Sequence, residues 1–314
     1  MTTTKATRIH AYGGNDIIKH EQVALPAPKA GEILVRVQAA GVNPIDWKIR
    51  AGYLQKMMPL PLPLTLGGDF AGVVEAIGPG VTGFKPGDEV FGQAPVMMGG
   101  SGAFAEHVLA QAGTTAKKPA RASTHEAAAL PLVGASAVQA IIDTLRVAKG
   151  QKVLIHGGAG GIGSIAIQIA KHLGAYVATT AAPSEAAFVK GLGADRVIDY
   201  TTAKFEQELK DFDAVLDTVG GDTYARSFKV LKRGGRIVSM LEQPRQDLMQ
   251  QYGVEASMQF TQPAAERLAR AAKLFDDGAI KINIDRVFPL DSAAAALHSV
   301  ETTPPKGKVI LKVA

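Results

Sequence analysis

The stretch VLIHGGAGGIGSIAIQIAKHLGAYVATT, Val153–Thr180, decides the fold. It opens on an apolar run of strand length and passes through a glycine cluster. An apolar segment of helical length follows, and then a second strand-like run that ends in two threonines. Gly158, Gly160 and Gly163 stand in the spacing G-x-G-x-x-G, with Gly157, Gly161 and Ile162 beside them. In such a pattern the first glycine permits a tight turn and the second lets a pyrophosphate approach the backbone. The third lets the helix pack closely, and the helix N-terminus turns its free amides to the anion. The pattern alone is weak in a chain with 34 glycines. Its place between a strand and a helix inside one βαβ unit makes it a predicted dinucleotide site.

The end of the second strand bears on which dinucleotide. A carboxylate there, about 20 residues beyond the turn, accepts hydrogen bonds from a ribose diol and repels a 2′-phosphate. Thr180 holds that place, next to Thr179. Hydroxyls of Thr179, Thr180 and Ser184, with Tyr200 and Lys190 from the following elements, are expected to favour a 2′-phosphate. NADPH is therefore expected over NADH, with Glu185 the nearby acid that opposes it, and Thr180→Asp is expected to shift preference toward NADH.

Outward from this unit the chain has two textures. The first ~120 residues read as β-rich: EILVRVQAAGV alternates apolar and polar residues, Pro59–Pro63 excludes a helix or central strand, and Gly and Pro punctuate short strands beyond. At Ser123 the texture changes. Ser123 and Glu126 form a capping box, and strands then alternate with helices, as in a parallel sheet wrapped by helices. The segment PAAERLARAAKLFDDG reads as a helix with Pro263 in its first turn and Gly278 just past its end. The tail reads strand, helix, strand, and is expected to return to the first domain.

Composition excludes several classes. The 314 residues contain no cysteine, which removes disulfides, thiolate nucleophiles and cysteine-bound zinc. No apolar run reaches the ~18 residues of a membrane span, and the first residues carry no signal-peptide core, so a cytoplasmic location is expected. The net charge of +5 comes from scattered basic residues, which speaks against nucleic acid as a partner. No G-x-S-x-G elbow supports a serine hydrolase.

Together, AAGVNPIDWKIRAGY, GGDFAGVVEAIGPGVTGFKPGDEVFG, LPLVGASAVQA, HGGAGGIGSIAIQIAKHLGA and KGKVILKV resemble the medium-chain dehydrogenase/reductase superfamily, in its zinc-independent quinone oxidoreductase and enone reductase branch. The resemblance implies an α/β protein: a GroES-like β-rich catalytic domain (1–122 and 263–314) and a Rossmann domain with a doubly wound parallel sheet (123–262), the active site lying between them. It implies a homodimer. Where zinc-dependent relatives place metal ligands, this chain has Asn43, Gly68 and, less directly, Val133, so no metal is expected. Hydride transfer from NADPH to a quinone, or to the C=C bond of an α,β-unsaturated carbonyl, is then the implied reaction.

By the same resemblance Asn43, Lys48 and Tyr53 are the catalytic candidates. Asn43 is placed near the nicotinamide or substrate oxygen, Lys48 near the cofactor's ribose or phosphate, and Tyr53 in the quinone pocket as a donor. Ser136 is expected beside the cofactor, and Ser239, Met240 and Leu241 near the nicotinamide carboxamide. Asp46 and Trp47 read as structural, and so does His156. An enoyl-thioester reductase, and a non-enzymatic NADPH-bound protein of the RNA-binding or crystallin kind, are the alternatives.

Overall fold

The computed structural model describes residues 2–314. They divide into two units. One is the chain up to Ala135 with Pro263–Asp276 and Ile282–Ala314; the other is Ser136–Gln262 with Asp277–Lys281. The first unit runs β1 (Thr2–Ile9), β2 (Lys19–Leu25), β3 (Glu32–Val42), α1 (Pro44–Arg50), β4 (Leu64–Thr65) and β5 (Asp69–Ile77). It continues through β6 (Glu89–Gln93), β7 (His107–Gln111), β8 (Thr115–Lys117) and α2 (Thr124–Ala129). The expected alternation in β3 is present: Ile33, Val35 and Val37 are buried while Arg36 faces water.

After α3 (Pro131–Val138) the second unit runs β9 (Lys152–Ile155), α4 (Gly161–His172), β10 (Tyr176–Ala181), α5 (Ala186–Gly191) and β11 (Arg196–Asp199). Then come α6 (Phe205–Glu208), β12 (Phe212–Asp217), α7 (Gly221–Ser227), β13 (Leu231–Ser239), α8 (Gln246–Tyr252) and β14 (Glu255–Met258). Its strands form a parallel sheet in the order β11-β10-β9-β12-β13-β14. Counted from β9, that is the order 3-2-1-4-5-6 of a dinucleotide-binding fold. Val153, Leu154 and Ile155 are fully buried, as a strand covered on both faces requires.

The chain then returns to the first unit through α9 (Ala265–Asp276), β15 (Ile284–Pro289), α10 (Ala293–Thr302) and β16 (Lys308–Lys312). β16 pairs antiparallel with β3, placing Val309 opposite Val42. Across the same sheet Gly41 lies opposite Asp69, and Asp69 opposite Gln93. One end of the sheet thus gathers polar residues from four distant segments.

The division expected between 122 and 123 falls before α2, but α2 belongs to the first unit. Its capping box is formed as expected, with Ser123 N–H donating to Glu126 Oε2 at 2.9 Å and Glu126 N–H to Ser123 Oγ at 3.3 Å. Ala127, Ala128 and Ala129 are completely buried. A Cβ on Gly41 would lie 2.5 Å from the Ala128 carbonyl oxygen, so glycine there lets α2 sit directly on β3.

Candidate functional site

In the second unit the glycine turn follows β9. Gly157 has φ +69°, a left-handed conformation that disfavours side chains. A Cβ on Gly163 would lie 2.2 Å from the Gly157 carbonyl oxygen, so α4 packs on the turn as closely as the backbone allows. A Cβ on Gly158 would lie 2.0 Å from Thr179 Oγ1. At Gly160 the nearest atom is 3.4 Å away, and this face of the turn is open. Gly160 is the N-cap of α4 and offers no capping side chain, leaving the first-turn amides of Gly161, Ile162 and Gly163 for an anion. Turn and helix start together make a cradle of the shape and polarity a pyrophosphate needs.

The hydroxyls expected to read a 2′-phosphate point elsewhere. Thr179 is fully buried and donates to the Ile155 carbonyl at 2.7 Å. Thr180, 4% exposed, lies 3.1 Å from His156 Nδ1 and accepts from Gly157 N–H at 3.2 Å. Both threonines therefore build the turn, and Thr180→Asp would bury a carboxylate there. Beyond them Ser184 and Tyr200 are exposed. Glu185 is half-buried, and its Oε2 accepts from Ala182 N–H at 2.9 Å, which fixes this carboxylate at the end of β10.

The loops after β12 and β13 are tied to each other. Asp217 accepts from Val219 N–H at 3.0 Å, Gly220 N–H at 2.9 Å and the Ser239 hydroxyl at 2.6 Å. Ser239 Oγ in turn accepts from Leu241 N–H at 3.1 Å, and Met240 N–H donates to the Asp217 carbonyl at 2.9 Å. The Ser239 hydroxyl and the amides of Met240 and Leu241, expected at the carboxamide, are thus committed within the loops. Ser136 is likewise fully buried, its Oγ 2.6 Å from Thr261 Oγ1. Val219, Leu241 and Phe260 stand exposed just past the carboxyl ends of β12, β13 and β14, the rim where open α/β sheets bind ligands.

In the first unit Asn43 begins α1. Its backbone N–H donates to Asp46 Oδ2 at 2.7 Å, so Asp46 caps the helix, the structural role expected of it. The Asn43 side chain does not reach outward as expected. It is 2% exposed, its Nδ2 donates to Asp69 Oδ2 at 2.9 Å, and its Oδ1 accepts from Lys308 Nζ. Asp69 also accepts from Gln93 Nε2 at 3.0 Å and Leu132 N–H at 3.2 Å, while Lys308 Nζ stands 3.8 Å from Asp69 Oδ2. Two carboxyls and one ammonium thus share a site closed to water. Burial pushes Asp46 up to about 7, against the pull of the Asn43 N–H bond. Burial likewise raises Asp69 against Lys308, and lowers Lys308 against both acids. One proton taken up leaves a single carboxylate facing the ammonium.

Neither Asp69 nor Lys308 was singled out by the sequence. The available signal was an acid between glycine and phenylalanine in an apolar run, and a lysine opening an apolar strand. Lys48 and Tyr53 follow on α1 and the turn after it. Lys48 is half-buried with Nζ 5.8 Å from the Trp47 ring centre. Tyr53 is 69% exposed and meets Trp47 edge to face at 5.4 Å. Trp47 packs against the core of the first unit and holds both groups at its surface.

Comparison with known proteins agrees with both units. Residues 29–120 match the alcohol dehydrogenase GroES-like domain, and residues 192–311 match the zinc-binding dehydrogenase family. The mitochondrial NAD(P)H oxidoreductase RTN4IP1 of Danio rerio is 32% identical, over 99% of this chain and 92% of its own length. The quinone oxidoreductase of Homo sapiens is 30% identical, over 98% of this chain and 97% of its own. Among solved structures, the quinone oxidoreductase of Coxiella burnetii superposes with a TM-score of 0.90 at 35% identity, covering 100% of both chains. The mycobacterial protein Rv1454c, complexed with NADPH, superposes with a TM-score of 0.88 at 29% identity, over 98% of this chain and 100% of its own. The chain belongs to the medium-chain dehydrogenase/reductase superfamily, in its quinone oxidoreductase branch. It is an oxidoreductase whose cofactor is a nicotinamide dinucleotide. Among the described residues no helix is long and apolar enough to cross a membrane.

Proposed function

We propose that the protein transfers hydride from NADPH to a quinone or to the C=C bond of an α,β-unsaturated carbonyl, without a metal. The observation that carries this reading is the uncapped start of α4 above an open glycine turn, in a chain similar along its length to quinone oxidoreductases. Bound there, the reduced nicotinamide supplies the hydride. The amides of Gly161, Ile162 and Gly163 hold the pyrophosphate, Gly160 keeps the approach free of a side chain, and Gly158 lets the turn lie against Thr179. The apolar rim of Val219, Leu241 and Phe260 excludes water from the ring. In the first unit the Lys48 ammonium supplies positive charge for a phosphate or for developing oxygen charge, and the Tyr53 phenol can donate a proton to a carbonyl oxygen.

The preference for NADPH rests on the relatives, on the exposed Ser184 beyond β10 and Tyr200 beyond β11, and on Thr180 in place of an acid near the end of β10, with Glu185 opposing it. The metal-free reading rests on the donor set. Asn43, Gly68 and Val133 offer neither thiolate, imidazole nor carboxylate, and of the nearby acids Asp69 is engaged by Asn43 and Lys308 and Asp46 by the Asn43 N–H. The resemblance implies a cytoplasmic homodimer, and sedimentation of the purified protein tests the dimer. The reaction is tested by following NADPH and NADH oxidation with quinones, alkenals, alkenones and an enoyl thioester, with and without a chelator. Turnover of a quinone or enone that survives chelation supports the reading, and turnover confined to the thioester or dependent on metal overturns it.

A further inference from the structure

His156 is the last residue before the glycine turn, it is completely buried, and nothing in the hydride transfer uses it. Its hydrogen bonds have a direction that the structure determines. Ser227 donates its hydroxyl proton to the Thr223 carbonyl at 2.7 Å, so its oxygen is left to accept. The donor to it is His156 Nε2, 2.9 Å away. The imidazole therefore carries its proton on Nε2, and its bare Nδ1 accepts the Thr180 hydroxyl proton at 3.1 Å. Thr180 Oγ1 has then given its proton and accepts from Gly157 N–H at 3.2 Å. The Phe205 ring meets the imidazole in an edge-type contact, 4.6 Å centre to centre. From Gly157 through Thr180, His156 and Ser227 to Thr223, each donor proton has one acceptor.

We propose that His156 is a positioning residue of the dinucleotide cradle: through Thr180 it holds the left-handed Gly157 in place, and through Ser227 it anchors the turn to α7. The inference rests on the reading of the glycine turn as the dinucleotide site. Amides that grip an anion must be placed within a fraction of an ångström, and such placement comes from supporting residues whose own geometry is locked. The chain works with a neutral imidazole, because a second ring proton would leave the Thr180 hydroxyl proton without an acceptor. Burial, with the charge of Arg226 adding to it, holds His156 down at about 3, so the neutral form persists through the physiological range.

The test is calorimetric titration of the full-length protein with NADPH, and with NADH in parallel, alongside Thr180→Val, Thr180→Ser, His156→Phe, His156→Asn and Ser227→Ala. Thr180→Val and His156→Phe are expected to raise the NADPH Kd about tenfold, and Ser227→Ala, remote from the turn, about threefold. Thr180→Ser keeps the hydroxyl and His156→Asn keeps an acceptor, so both are expected within about threefold of wild type. In turnover, KM for NADPH follows Kd while kcat at saturation changes much less. Should His156→Phe not fold, Thr180→Val and Ser227→Ala decide the matter. Folded Thr180→Val and Ser227→Ala proteins that bind NADPH as wild type does overturn the proposal. Wild-type protein that binds neither dinucleotide overturns the reading of the turn itself.

Discussion

Each unit buries a polar cluster almost completely, and the two clusters are built on opposite terms. At the sheet end of the first unit Asp46, Asp69 and Lys308 bring two acids and one base out of water, held together by Asn43 and Gln93. Behind the glycine turn of the second unit Thr180, His156 and Ser227 bury no charge, and their protons run in one direction. Removing charges from water costs several kcal/mol per ion, and their attraction offsets this only while all partners remain. A neutral chain has less to lose at each link and depends on orientation instead. The first cluster should therefore govern stability, and the second the precision of a binding site.

The largest expected effect tests the charged side of that contrast. Lys308→Met leaves Asp69 buried without its counter-ion and is expected to cost about 3–5 kcal/mol in urea unfolding at neutral pH. Adding Asp69→Asn should recover much of that loss. A Lys308→Met protein as stable as wild type would break the contrast.

Gly163→Ala comes next, at about 2 kcal/mol, because its Cβ would lie 2.2 Å from the Gly157 carbonyl oxygen and backbone must move. NADPH binding should weaken with it, as read by titration of the folded protein.

Acidity separates the clusters further. Asp46, raised from 3.8 to about 7, contributes stability that is full below pH 3.8 and lost as pH rises through 7. His156, lowered from 6.5 to about 3, contributes stability present above pH 6.5 and lost as pH falls toward 3. Between pH 4 and 6.5 the two slopes oppose each other at about 1 kcal/mol per pH unit each. Asp46→Asn should therefore make stability rise with pH across that window, and His156→Asn should make it fall, both relative to wild type in urea melts at fixed pH. Slopes that move together would contradict the assignment.

The smallest effect concerns Glu185, whose carboxylate is fastened at the end of β10. Glu185→Gln keeps an acceptor for Ala182 N–H and removes the charge, so KM for NADPH is expected to fall about threefold with KM for NADH little changed.

What was legible in the sequence follows the same division. The cradle is made of backbone, and backbone demands show as glycines at fixed spacing, so Gly158, Gly160 and Gly163 could be read directly. The helix start at Ser123 and the helix end at Gly278 were legible for the same reason. Spacing places Thr180 near the end of β10 but carries no rotamer, and its hydroxyl turns to His156 and Gly157. Asn43 was found through resemblance, yet its partner Lys308 lies 265 residues away. Only the pairing of β16 with β3 and of β3 with β5 brings Lys308, Asn43 and Asp69 together. The capping box at Ser123 announces a helix without saying which sheet that helix covers, so the change of texture there precedes the change of unit.

Metal-free hydride transfer is tested by following the hydride itself. Purified protein is incubated with chelator, an alkenone and NADPH carrying deuterium at the transferred position of the nicotinamide, and the product is examined by NMR and mass spectrometry. Turnover is expected, with one deuterium on the former β-carbon and a solvent proton on the neighbouring carbon. Product without that deuterium, or turnover that stops when metal is removed, would contradict it.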